Sequence, residues 1–104
     1  YEHTAQVNGR RDSRYRVDHI EMAHPQDQVR FGTLGVIASM QPLHATACID
    51  DYTLARIGAE RGAYSYPWQS LLSRGAHLCF GTDWPAIDMS RPNPLENIYG
   101  AVTR

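Results

Sequence analysis

The sequence predicts an α/β fold with a parallel sheet. Three observations predict it. Short apolar runs of strand length recur at 36–40 and 76–80. Helical patterns lie between the strands, the arrangement of βαβ crossovers. Polar residues suited to chemistry follow each strand end, where parallel α/β folds build their sites.

Residues 1–8 read as the end of a helix, with Asn8-Gly9 as its stop. Residues 14–20 alternate polar and apolar side chains, a strand ending near His19. Pro25 opens a helix at its first turn, where a missing N–H costs nothing, and His24 caps its start. Val29, Phe31 and Leu34 give that helix an apolar side, and Gly35 ends it. The run 36–40 is a buried strand closed by Gln41-Pro42. A loop over 43–51 carries His44, Thr46 and Asp50-Asp51, the two aspartates as loop and cap features. Helical patterning resumes over 53–61 and again over 67–74, where Trp68, Leu71 and Leu72 read as core. The strand 76–80 meets Gly81, then Asp83, Trp84 and a proline-rich loop over 84–94. Pro94 begins a last helix with Leu95, Ile98 and Tyr99 on one face. Three strands leave two raw sheet edges.

The 104 residues suit one small domain, 42% hydrophobic and 20% charged, with a net charge of −1. No basic field points to nucleic acid, and no apolar run is long enough for a membrane span. Cys48 and Cys79 lack C-x-x-C spacing. Cys79 reads as a buried free thiol, which suits a reducing compartment such as the cytoplasm. All ten basic residues are arginine, so no lysine here can serve as a base, a Schiff-base nucleophile or a carbamylated ligand. The chain starts without methionine and stops in an uncapped helical pattern. It is expected to be an internal piece of a longer protein. Its partners would be the N-terminal remainder of the fold or a second copy paired through a sheet edge.

Each strand end offers candidate chemistry. The first gives Asp18, His19 and Glu21, the second Gln41 and His44, the third Asp83. Parallel strands point these ends the same way, so they converge in space. Histidine and carboxylate together suit a divalent metal with nitrogen and oxygen ligands. Each residue also has a plainer reading: a lone histidine is an ordinary hydrogen-bonding group, and Asp83 can cap a turn. His3 and His77 read as structural or solvated.

Four blocks carry a resemblance across nearly the whole chain. They are Arg16-Val-Asp-His-Ile-Glu, the stretch from His24-Pro to Gln41-Pro-x-His-Ala-Thr, Phe80-Gly-Thr-Asp-Trp-Pro, and Asn93-Pro-Leu-x-x-Ile-Tyr-x-Ala-Val-Thr-Arg. In these the sequence resembles the amidohydrolase superfamily, and within it the YtcJ-like branch with the N-substituted formamide deformylases. The resemblance implies part of a (β/α)₈ TIM barrel, about strands 6–8 with their helices. It implies a metal-dependent hydrolase with one or two divalent ions, zinc first among them, acting on a small-molecule substrate. By position, His19 would be a metal ligand or a hydrogen-bond donor to the substrate carbonyl. Asp83 would be metal ligand and general base. His44 would face the substrate pocket, with Trp84 as a wall. The sequence departs from the family at Asp18, Ile20 and Glu21, and Glu21 adds a charge that bears on substrate choice. No His-x-His pair occurs.

Two expectations follow. The chain is a segment of a hydrolase that cleaves C–N bonds of amides or formamides with an activated water, inactive alone. Otherwise it is a non-catalytic α/β fragment stable only as an oligomer or beside its missing half. A flavodoxin-like binding domain is disfavoured, since no glycine-rich phosphate loop follows a strand.

Overall fold

A computed structural model describes residues 1–48, 51–86 and 93–103. Three parallel strands, β1 (Arg16–Asp18), β2 (Ile37–Met40) and β3 (His77–Phe80), form one sheet in the order β1-β2-β3. Ile37, Ala38 and Ser39 are paired on both sides, Ala38 opposite Val17 on one and Leu78 on the other. Parallel neighbours need long crossovers. Here α2 (Pro25–Leu34) links β1 to β2. The path from β2 to β3 runs through α3 (Pro42–Cys48), α4 (Asp51–Ile57), α5 (Ala59–Gly62) and α6 (Trp68–Ser73). Helix α1 (Glu2–Asn8) precedes the sheet and α7 (Pro94–Thr103) follows it.

Local chemistry explains α2. Pro25 sits in its first turn, and the His24 ring nitrogen Nδ1 accepts a hydrogen bond from the Gln26 N–H at 3.3 Å. Gly35 closes it in the left-handed conformation, φ 65°. The helix buries Gln28 rather than its valine: Val29 is exposed. Gln28 is satisfied on both sides. Its Nε2 donates to the Ala23 carbonyl at 2.8 Å, and its Oε1 accepts from the Ser70 hydroxyl at 2.6 Å.

The core gathers Ile20, Ala38, Met40, Ala45, Tyr66, Trp68, Leu71 and Ala76, with Phe31 and Leu78 packed against it. Among the described strands β2 is the buried one, from Ala38 to Met40, because it has a neighbour on both sides. This corrects one sequence expectation: Cys79, on edge strand β3, is an exposed free thiol.

Four further expectations are corrected. The stretch after β2 is helix α3, not a loop, since Pro42 occupies a first-turn position that tolerates it. The expected helix over 53–61 is two short helices divided at Gly58, whose φ is 80°. On α7 the expected face of Leu95, Ile98 and Tyr99 is exposed, and the buried residues are Asn97 and Gly100. Gly100 faces α3: a Cβ there would lie 3.6 Å from the Pro42 carbonyl oxygen, an ordinary van der Waals contact, so this side of α7 packs against the start of α3. Leu72 likewise faces solvent beside fully buried Leu71. Asp50 and most of the proline-rich loop lie outside the described residues. Among the described residues no helix is long and apolar enough to cross a membrane.

Candidate functional site

The C-terminal ends of the three strands bring four side chains together. His19 and Glu21 follow β1, His44 lies on α3 after β2, and Asp83 follows β3. They form a closed ring of contacts in which bases and acids alternate. His19 Nδ1 lies 3.7 Å from Glu21 Oε1, and His44 Nδ1 lies 3.8 Å from the same oxygen. On the other side, His19 Nε2 lies 3.5 Å and His44 Nε2 3.7 Å from Asp83 Oδ2. The two imidazoles are tilted by 54° with centroids 5.4 Å apart.

The backbone is bent to make this ring. His19, Ile20 and Asp83 have φ values of 71°, 52° and 55°. Left-handed conformations cost energy in residues with a Cβ, and they cluster at functional sites. After β1 they let Ile20 enter the core while His19 and Glu21 face the rim. A second segment clamps the bend: the Tyr66 N–H donates to the Glu21 carbonyl at 2.7 Å, and Met22 forms an antiparallel bridge with Ser65. Beyond β3, the Gly81 N–H donates to the Met40 carbonyl at 3.0 Å and extends the ladder to within two residues of Asp83.

The four groups differ in exposure. His44 is buried, and its Nε2 has no hydrogen-bond partner among the described residues. Gln41 Oε1, one turn earlier, is a second orphaned acceptor. Buried polar atoms are seldom left unpaired, so an unsatisfied imidazole nitrogen between carboxylates fits a metal ligand. His19, Glu21 and Asp83 stay partly open to solvent. His19, Glu21 and His44 offer ligand atoms all within 4.8 Å of one another. Two imidazoles and carboxylate oxygens suit a borderline divalent ion such as zinc.

Nearby, Asp18 ends β1, and its carboxyl is held below the usual carboxylate range. The first cause is a hydrogen bond from the Ser39 hydroxyl on the adjoining strand; the Arg16 guanidinium, at 3.2 Å, adds to it.

The structure thus brings together four residues named from the sequence, His19, Asp83, Glu21 and His44. Trp84 is exposed beside Asp83 and takes no part in the ring of contacts. His3 and His77 are exposed and away from it, in keeping with their plainer reading. Sequence reasoning missed Asn97. Its buried amide accepts from the Leu43 N–H at 3.2 Å and donates to the Gly81 carbonyl at 2.7 Å, bracing the backbone near His44 and Asp83. No spacing rule marks it; the only signal is a polar residue on a helix that otherwise looks apolar on one side.

Comparison with known proteins follows the same line. The sequence model of the amidohydrolase family matches residues 1–104. Protein LONG AFTER FAR-RED 3 of Arabidopsis thaliana is 42% identical over 105 aligned residues, covering 100% of this chain. The chain spans 17% of that relative's length. No solved structure matches.

Proposed function

The chain belongs to the amidohydrolase family, and on that premise we propose that it is the segment of a metal-dependent hydrolase that supplies the general base for C–N bond cleavage. The substrate class is a small amide or N-substituted formamide. The juxtaposition of His19 Nε2 and Asp83 Oδ2 at 3.5 Å, from the first and last strands of the sheet, carries this reading. The remaining strands of a (β/α)₈ barrel would come from the rest of the longer protein, in line with the small share of the relative that this chain spans. The YtcJ-like blocks support the branch. A reducing compartment such as the cytoplasm suits the exposed thiol of Cys79.

His19, Glu21, His44 and Asp83 are the residues that would hold a divalent ion, zinc by the donor set. Such an ion, when bound, polarises a carbonyl and makes a coordinated water more acidic. Asp83 is placed to do the proton work. Its carboxylate accepts the proton of the water that attacks the carbonyl carbon, then delivers it to the nitrogen as the C–N bond breaks. His19, open on the same rim, presents an N–H to the oxygen on which charge develops. Buried His44 walls the pocket and holds its ring against both carboxylates.

The test is an assay of the full protein that contains this chain against a panel of amides and N-substituted formamides. Turnover that falls on dialysis against a chelator and returns with added zinc is expected. Absence of C–N hydrolysis across the panel with zinc restored would sink the reading.

A further inference from the structure

The spacing of His44 and Asp83 is not set by the two side chains themselves. Their facing atoms, Nε2 and Oδ2, lie 3.7 Å apart, too long for a good hydrogen bond. The backbones behind them must hold the distance, and one buried side chain bonds to both. Asn97 on α7 is 4% exposed. Its Oδ1 accepts from the N–H of Leu43, the residue before His44, at 3.2 Å. Its Nδ2 donates to the carbonyl of Gly81, two residues before Asp83, at 2.7 Å. Leu43 lies in the first turn of α3, where backbone N–H groups have no partner within the helix. Asn97 supplies that partner from a helix distant in sequence. Asp83 takes a left-handed φ of 55°, a conformation that persists only where the surroundings over-determine it. Gly81 is accordingly gripped twice, its N–H on the Met40 carbonyl at 3.0 Å and its carbonyl on Asn97.

We propose that Asn97 is the positioning residue that sets the distance between His44 and Asp83 across the rim. It acts through the two main-chain segments and not on the reacting atoms. A primary amide suits the task because one planar group carries both an acceptor and a donor. An ionised carboxylate cannot donate, and an alkyl chain of the same shape does neither. The helix beneath the amide is itself held. Gly100 faces the Pro42 carbonyl at the start of α3, and the indole N–H of core residue Trp68 donates to the Ala101 carbonyl at 3.1 Å. So α7 is seated against α3 and tied to α6. The proposal rests on the hydrolase reading only for the use made of the spacing, with Asp83 as the base.

Hydrogen–deuterium exchange of the full protein that contains this chain, read on peptides covering 43–48 and 81–86, tests this without an activity assay. In Asn97→Ala both peptides should exchange faster, by about tenfold or more at the amides that lose support. Asn97→Asp at pH 8 separates the two arms and serves if the alanine variant fails to fold. Its carboxylate still accepts from Leu43 and cannot donate to Gly81, so only peptide 81–86 should exchange faster. Where the full protein hydrolyses an amide, Asn97→Asp should lower kcat by about 10²-fold, the cost of a misplaced catalytic group, with KM within about twofold of the parent. Gly32→Ala is the control for stability alone. Gly32 meets the Arg74–Gly75 turn that leads into β3, at the end of the sheet away from the rim, and this variant should keep the parent kcat. Parent rates of exchange over 81–86 in both Asn97 variants would overturn the proposal. So would faster exchange with an undiminished kcat. A full protein with no C–N hydrolysis would remove the hydrolase reading, and the exchange rates alone would then decide whether Asn97 sets the spacing.

Discussion

Asn97 Nδ2 donates a 2.7 Å hydrogen bond to the carbonyl of Gly81, so a helix residue late in the chain fixes the backbone that leads to Asp83. The same amide accepts from the Leu43 N–H, on the segment that carries His44. Asn97→Ala leaves both backbone groups unpaired, at about 1–3 kcal/mol for each buried group. Urea unfolding should show that loss. An unchanged midpoint would mean that water replaces the amide.

The packing of α2 on the turn after α6 depends on a missing side chain. A Cβ at Gly32 would collide with the carbonyl oxygen of Arg74 and lie 3.1 Å from the Gly75 carbonyl carbon. Both are backbone, so neither can swing aside. Gly32→Ala should cost about 1–3 kcal/mol despite alanine's better helix propensity. A gain in stability on thermal unfolding would contradict this contact.

Adjacent leucines on α6 should behave oppositely. Leu71 is 0% exposed and Leu72 is 61% exposed. Leu71→Ala is expected to cost about 2–5 kcal/mol through lost burial and a cavity. Leu72→Ala should stay within about 0.5 kcal/mol of the parent. Similar losses at both positions, read by denaturant titration, would show that the helix faces the core differently.

In the full protein, Asp83→Asn should reduce kcat by about 10²- to 10⁴-fold, the usual worth of a positioned base. Far-ultraviolet circular dichroism should be unchanged. Near-normal turnover in this variant would strip Asp83 of its role as base.

The parts legible in the sequence were those fixed by neighbouring residues. His24, Pro25 and Gly35 bound α2 by local capping, and the structure keeps each in its expected place. The meeting of His19 and Asp83 was legible for a topological reason: parallel strands end on one side. What stayed hidden depended on partners distant in sequence. Leu95, Ile98 and Tyr99 look like a buried face, yet α7 turns the side with Asn97 and Gly100 onto the distant Pro42. Cys79 looks buried by composition but lies on a strand with one neighbour. Pro42 reads as a strand stop and also begins a helix. Glu21 meets both histidines because His19 and Ile20 take left-handed backbone angles, and no pattern of side chains announces them.

Strand β2 is flanked on both sides, whereas among the described residues β1 and β3 each have a strand neighbour on one side. Deuterium exchange should therefore proceed inward from the margins, with the amides of Ala38 and Met40 the last to take up label. The four groups at the rim hang from strands of unequal endurance. A local opening that frees His19 or Asp83 would leave the middle of the sheet, and His44 just beyond it, undisturbed.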